Sequence, residues 1–185
     1  MLKSIENKWY ACSVYSRQEK AAFKDITNLG YEAFLPIRQE RRLWSDRIKT
    51  LETALFPGYL FVRTHLTASS RVDIIRSKKV LDFVGRLKGR EDRLAHHIPN
   101  SEMESLKLIT CKEEKIEPVE RLRRGEKVMV IDGPLKGLYG TLEKRAKGDC
   151  RIVVGVTLLG RGVSAKLEPS QVMSLTELKQ EECAA

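Results

Sequence analysis

Residues 55–62 read Leu-Phe-Pro-Gly-Tyr-Leu-Phe-Val. Pro57-Gly58 interrupts the apolar run and marks a turn, after which Tyr59-Leu60-Phe61-Val62 resumes as a strand with Tyr59 and Phe61 on one face. Phe56, Tyr59 and Phe61 place three rings within six positions of a chain that is only 6% aromatic. Each such ring removes about 150–250 Å² from water when covered. Two readings follow: the rings fill the chain's own core, or they offer a partner several kcal/mol before association costs.

Working outward toward the N-terminus, Lys8 to Tyr15 (KWYACSVY) reads as an opening strand. Ser16 with Glu19 three residues on suggests a capping box, and Ala22, Phe23, Ile26 and Leu29 recur at helical spacing until Gly30. The other face of that helix carries Arg17, Lys20 and Lys24. Tyr31 to Pro36 is a second strand, and the charged stretch Gln39 to Ala54, with Trp44 inside, a protruding hairpin.

Toward the C-terminus, a short helix over Thr67 to Arg76 and a strand over Val80 to Gly85 precede a helix opened by Pro99 and Ser101 and running to about Ile109. The order β-α-β-β-β-α-β-α predicts an α+β fold, an antiparallel sheet flanked by helices. Cys111 to Arg123 is charged, contains Pro118 and reads as a linker. Beyond it come five short strands with Gly-rich turns: Glu126 to Ile131, Gly140 to Lys144, Arg151 to Leu158, Val163 to Leu167 and Gln171 to Leu175. They predict a small β-barrel. The expected organisation is a domain over 1–110, a linker over 111–123, a barrel over 124–176 and a flexible tail over 177–185.

The 185 residues carry 34 Lys+Arg and 25 Asp+Glu, a net charge of +9. The excess is clustered between Arg38 and Lys49, from Arg71 to Arg93 and from Arg121 to Arg151, and it reverses after Ile152. Clustering of that kind suits a polyanion partner. No apolar run approaches the ~20 residues of a membrane span, and the N-terminus lacks the apolar core of a secretion signal, so a cytoplasmic location is expected. Cys12, Cys111, Cys150 and Cys183 are dispersed, which predicts reduced thiols rather than zinc or disulfides.

No catalytic set stands out. His65 is alone, and the adjacent His96 and His97 diverge on either a helix or a strand, so no metal site is expected. Gly133, Gly137 and Gly140 in GPLKGLYG match neither phosphate-loop fingerprint, and flanking strands favour turn glycines. The chain reads as a binding protein without enzymatic activity or cofactor.

The residues that carry the aromatic motif also carry a resemblance. Trp9-Tyr10, LFPGYLFV over Leu55 to Val62, Arg76-Ser77 with Phe83-Val84-Gly85, Val130 to Pro134 with Gly137 and Gly140, and Leu158 to Val172 (LLGR, then VSAKLEPSQV) together resemble the NusG family of transcription elongation factors. The likeness spans nearly the whole chain, with an N-terminal NGN domain and a C-terminal SH3-like KOW barrel. Arg41 to Val62 looks closer to specialised paralogues of the UpxY type, which, like RfaH, act as processive antiterminators at particular long operons, often those for surface polysaccharides. The resemblance implies docking on the clamp helices of the largest catalytic subunit of RNA polymerase through Tyr10, Phe56, Pro57, Tyr59 and Phe61. It implies a contact to the opposite jaw through Ser69, Ser70 and Arg71, and a place for Arg17, Lys20 and Lys24 beside the non-template DNA strand. Leu158, Leu159 and Arg161 fall where the barrel meets a ribosomal protein or a termination factor. Ser13 departs from the family by standing where relatives often carry an aromatic residue. A monomeric factor that suppresses pausing is implied; the alternatives are a general housekeeping NusG and an RNA-binding or ribosome-associated KOW module.

Overall fold

A continuous run of aromatic and small apolar residues, Trp9 to Cys12, makes Lys8–Val14 the first strand, β1. The computed structural model describes residues 6–43, 48–85, 95–111, 116–119, 125–144 and 150–175. Trp44, Arg47, Cys183 and the expected tail over 177–185 lie outside these. Two units partition the chain, Met1–Asn100 and Ser101–Ala185.

In the first unit, β1 is followed by α1 (Glu19–Asn28), β2 (Glu32–Phe34), β3 (Ile37–Leu43), β4 (Ile48–Ala54), β5 (Tyr59–Thr64), α2 (Ala68–Ile75) and β6 (Val80–Phe83). The order β2-β5-β1-β6 forms one antiparallel sheet, and β3 and β4 form a separate two-stranded ribbon. Register places Cys12 opposite Leu60 and Tyr10 opposite Val62. These four, with Val14, meet Ala22 and Ile26 of α1 and Ile74 of α2 in one apolar cluster.

Local chemistry sets the helix limits. α1 ends in a Schellman motif: Tyr31 N–H donates to Ile26 O, Gly30 N–H donates to Thr27 O, and Gly30 takes φ +87°. Its start differs from the expected capping box, because the N-cap is Gln18 and no side chain caps it. Glu19 instead accepts a hydrogen bond from Gly58 N–H, 39 positions away, a partner that local spacing does not reveal. α2 lies within the expected helix and has a side-chain cap: Thr67 Oγ1 accepts from Ser70 N–H, and Thr67 N–H donates to Ser70 Oγ.

The second unit holds α3, which begins at Asn100 and runs to Cys111, then β7 (Ile116–Val119), β8 (Glu126–Val130), β9 (Tyr139–Lys144), β10 (Cys150–Val156), β11 (Arg161–Leu167) and β12 (Val172–Ser174). These strands form one antiparallel sheet in the order β12-β8-β9-β10-β11-β7. All five expected C-terminal strands are present within a few residues of their expected limits. The expected linker is corrected at its centre: Ile116–Val119 pairs with Gly162–Ala165 of β11, a tertiary pairing that overrides a charged, proline-bearing segment. Pro118 is accommodated because β7 is an edge strand. Glu102 on the first turn of α3 accepts two hydrogen bonds from Thr157, at 3.0 Å from its N–H and 2.6 Å from its hydroxyl.

Cys12 is fully buried in β1, where desolvation, helped by the nearby Asp82 charge, pushes its thiol pKa far up; Cys111 is exposed. A thiolate is the reactive form. Brief iodoacetamide treatment of the native protein is therefore expected to label Cys111 and spare Cys12, with Cys12 labelled only after denaturation, as peptide mass mapping would read.

Candidate binding site

Phe56 to Tyr59 form a tight turn closed by Tyr59 N–H on Phe56 O at 3.1 Å, with Pro57 at the first central position and Gly58 at the second. Gly58 takes φ +81°, the conformation a type II turn demands there. Its carbonyl accepts from Val14 N–H at 2.9 Å and its N–H donates to Glu19 Oε1 at 2.8 Å. The turn is thereby fastened to the end of β1 and the start of α1.

The expected docking residues separate into two groups. Pro57 is exposed and Tyr59 half-buried. Phe56 and Phe61 are corrected as direct contacts, being 1% and 0% exposed. They belong to a ring ladder in which Phe34 stacks on Phe61 at 6.4 Å and Phe56 meets Phe61 edge-on at 5.7 Å. The alternation that puts Tyr59 and Phe61 on one face is correct, yet β5 is an interior strand buried along most of its length, so sharing a face does not mean sharing exposure. Tyr10 is also corrected: it is buried on the opposite sheet face, edge-on to Phe83 at 6.0 Å, and desolvation raises its hydroxyl pKa. Ser13 lies opposite Tyr59 in the ladder and donates to Asp82 O at 2.9 Å, leaving a small side chain beside the exposed shoulder.

The second group expected at a polymerase jaw is also divided. Ser69 is exposed, whereas Ser70 is buried and its hydroxyl completes the α2 cap and donates to His65 O. Arg71 is held by Asp82 at 3.0 Å. The basic row of α1 is corrected at one end. Arg17 precedes the helix, exposed, in a turn at φ +62°, so only Lys20 and Lys24 lie on it. Lys20 contacts Glu52 of β4 at 2.6 Å, tying the ribbon to α1, and Lys24 is exposed one turn along.

In the second unit, Leu158 and Leu159 are half-buried on a 3-10 turn, Thr157–Leu159, ended by Gly160; Arg161, also half-buried, opens β11. GPLKGLYG is a turn and not a phosphate cradle. The amides of Lys136, Gly137 and Leu138 donate to Gly133, Val130 and Leu135 carbonyls, and Leu135 and Leu138 are buried. Gly133 is required there, with φ +83° and Gln171 Nε2 only 2.6 Å from where a Cβ would stand. Among the described residues no cluster of His, Cys, Asp and Glu has the makings of a metal site, and no helix is long and apolar enough to cross a membrane.

Two stability predictions follow from this geometry. Phe61→Ala removes a fully buried ring and is expected to cost about 3–5 kcal/mol, while Tyr59→Ala costs well under half of that, as urea midpoints would show. Lys20 holds the Glu52 carboxyl below its usual range, first by hydrogen bonding and then by charge. A lowered native pKa means that the pair favours the folded state above the ordinary carboxylate pKa of about 4.3 and loses that effect as pH falls through the lowered value. In an NMR titration, Lys20→Met should move the Glu52 midpoint upward.

Comparison with known proteins adds to this geometry. A family model described as transcription termination factor NusG matches residues 7–107. The transcription termination/antitermination protein NusG of Bacillus subtilis (strain 168) is 27% identical over 180 residues, covering 92% of this chain and 100% of that protein. Its counterpart in Chlamydia pneumoniae is 28% identical over 166 residues, covering 83% and 87%. A solved structure described as domain interaction in Thermotoga maritima NusG is similar in fold, with a TM-score of 0.53 at 21% identity, covering 92% of this chain and 98% of that one.

Proposed function

The chain belongs to the NusG family, and from that premise we propose that it rides RNA polymerase, suppresses pausing and acts as a processive antiterminator at particular long operons such as those for surface polysaccharides. The family comprises non-enzymatic transcription termination/antitermination factors. The observation that carries the proposal is the turn at Pro57 to Tyr59. An exposed proline and a half-buried tyrosine stand on a rigid floor of buried rings, inside the segment that the family model matches.

Pro57 and Tyr59 dock on the clamp helices of the largest catalytic subunit, while Phe56 and Phe61 hold that shoulder in shape from beneath. Ser69 supplies the contact to the opposite jaw. Arg17, Lys20 and Lys24 lie beside the non-template strand, and Leu158, Leu159 and Arg161 receive a ribosomal protein or a termination factor. Residues 1–110 form the docking module and 124–176 the recruiting one, in a monomer working in the cytoplasm. The specialised reading rests on the Arg41 to Val62 segment. Mechanistically, a ligand that prefers the active, closed polymerase shifts its population away from the paused state by no more than its differential affinity.

Single-round transcription by the polymerase of the source organism, on templates with a pause and a terminator, tests this. The protein is expected to shorten the pause and raise read-through. Tyr59→Ala should weaken polymerase capture roughly thirtyfold, the effect of about 2 kcal/mol at a central aromatic anchor, and abolish the gain. Action on every template would identify a general factor instead. Tight, steeply salt-dependent binding to bare RNA with no polymerase capture would favour an RNA-binding module.

A further inference from the structure

The four-stranded sheet has two edges, β2 and β6. An edge strand presents backbone N–H and C=O groups to its outer side, and a second chain can pair with them. β2 is three residues long and carries Glu32, which pairs with Arg63, and short charged strands make poor templates. β6 is the more exposed liability, because apolar surface lies along it: Leu81 is 47% exposed, and so, at 43%, is Val72 of the neighbouring α2. Among the described residues no strand pairs with the outer side of β6. The ladder tells which of its groups face that side. Val84 N–H donates inward to Ala11 O of β1 at 2.8 Å, and successive residues of an antiparallel strand alternate between bonding inward and pointing away. Phe83 N–H therefore points away from β1, and there it donates to Asp82 Oδ1 at 2.8 Å. The same oxygen receives Arg71 Nη2 at 3.0 Å and Arg71 Nε at 3.3 Å. Ser13 Oγ donates to Asp82 O at 2.9 Å, so backbone and side chain of Asp82 are both held. Leu81, next to it, has no opposite residue on β1, and this bulge breaks the straight run of the edge.

We propose that Arg71 and Asp82 guard the β6 edge, the clamped carboxylate occupying the outward amide of Phe83 so that a second copy of this chain cannot pair there. An incoming carbonyl would have to displace an acceptor already bonded to Phe83 N–H and to both Arg71 nitrogens. A hydrogen bond to a charged group is stronger than the neutral one that would replace it, so the exchange is unfavourable. A second copy is the partner to be excluded, because two identical edges meet antiparallel about a two-fold axis and close as a dimer. Such a dimer would also cover the exposed Leu81 of each chain, which is the attraction that the guard has to outweigh. The guard belongs to the free protein and does not rest on docking through Tyr59.

Sedimentation velocity of the full-length protein, from micromolar to millimolar concentration, tests this. The parent is expected to stay a monomer. Asp82→Ala should keep its circular dichroism spectrum and form a reversible dimer, self-associating about tenfold or more tightly than the parent, with the β6 amides protected from hydrogen exchange in the dimer. Adding Leu81→Lys places a new charge on the same edge and should return that dimer to monomer. A folded Asp82→Ala that stays monomeric overturns the proposal, as does a dimer that survives Leu81→Lys. A merely structural pair would lower the melting temperature without any association, and that result overturns it too, as does a parent already paired through β6. Should Asp82→Ala fail to fold, Asp82→Asn keeps the shape of the side chain and loses the charge that Arg71 clamps. It must still associate more readily than the parent, and its remaining as monomeric as the parent counts against the guard.

Discussion

One peptide unit, that of Gly58, joins three segments remote in sequence: its amide reaches Glu19 at the start of α1, its carbonyl receives Val14 at the end of β1, and β5 begins one residue on. A hydrogen bond to a charged acceptor contributes about 1.5–3 kcal/mol, and a carboxylate in the first turn of a helix adds about 0.3–1 kcal/mol through the helix dipole. Space is not the constraint at this position, since the nearest atom to a Cβ would be Val14 O at 3.9 Å. Conformation is, because φ +81° strains any side-chain-bearing residue. The exposed Pro57 and the partly exposed Tyr59 keep their attitude on the surface through this unit.

The aromatic motif shows where sequence reading stops. Its turn, its strand and the common face of Tyr59 and Phe61 follow from period-2 alternation and from Pro-Gly chemistry. Which rings meet solvent does not follow, because alternation reports faces and not what covers them. β5 lies between β2 and β1, and Leu60, Phe61 and Val62 are all buried, so both of its faces are interior there. Tyr10 misleads for the same reason. Its neighbour Trp9 lies on the other face, and only the register with Val62 assigns Tyr10 to the α1 side.

Elements whose limits are set locally were legible. The Gly30 stop of α1, the start of α2 at Thr67 and the glycine turns of the C-terminal sheet each depend on residues within a few positions. Elements set by distant partners were not. Glu19 carries the signature of a capping box yet serves Gly58, and Ile116–Val119 reads as a connection yet completes an edge of the C-terminal sheet. The two hydrogen bonds that Thr157 donates to Glu102, 55 residues before it, have no local signal at all.

Net charge behaves in the same way. A value of +9 is a sum over residues, and the structure shows how much of it is locally cancelled: Lys20 by Glu52, Arg63 by Glu32, Arg71 by Asp82, Lys79 by Asp25 and Arg151 by Glu117. Solvated or half-solvated pairs of this kind add little to stability, so their main effect is on the field outside the protein. They remove the even background and leave positive potential at exposed cations such as Arg17 and Lys24. Position, rather than the total, makes the charge a recognition element.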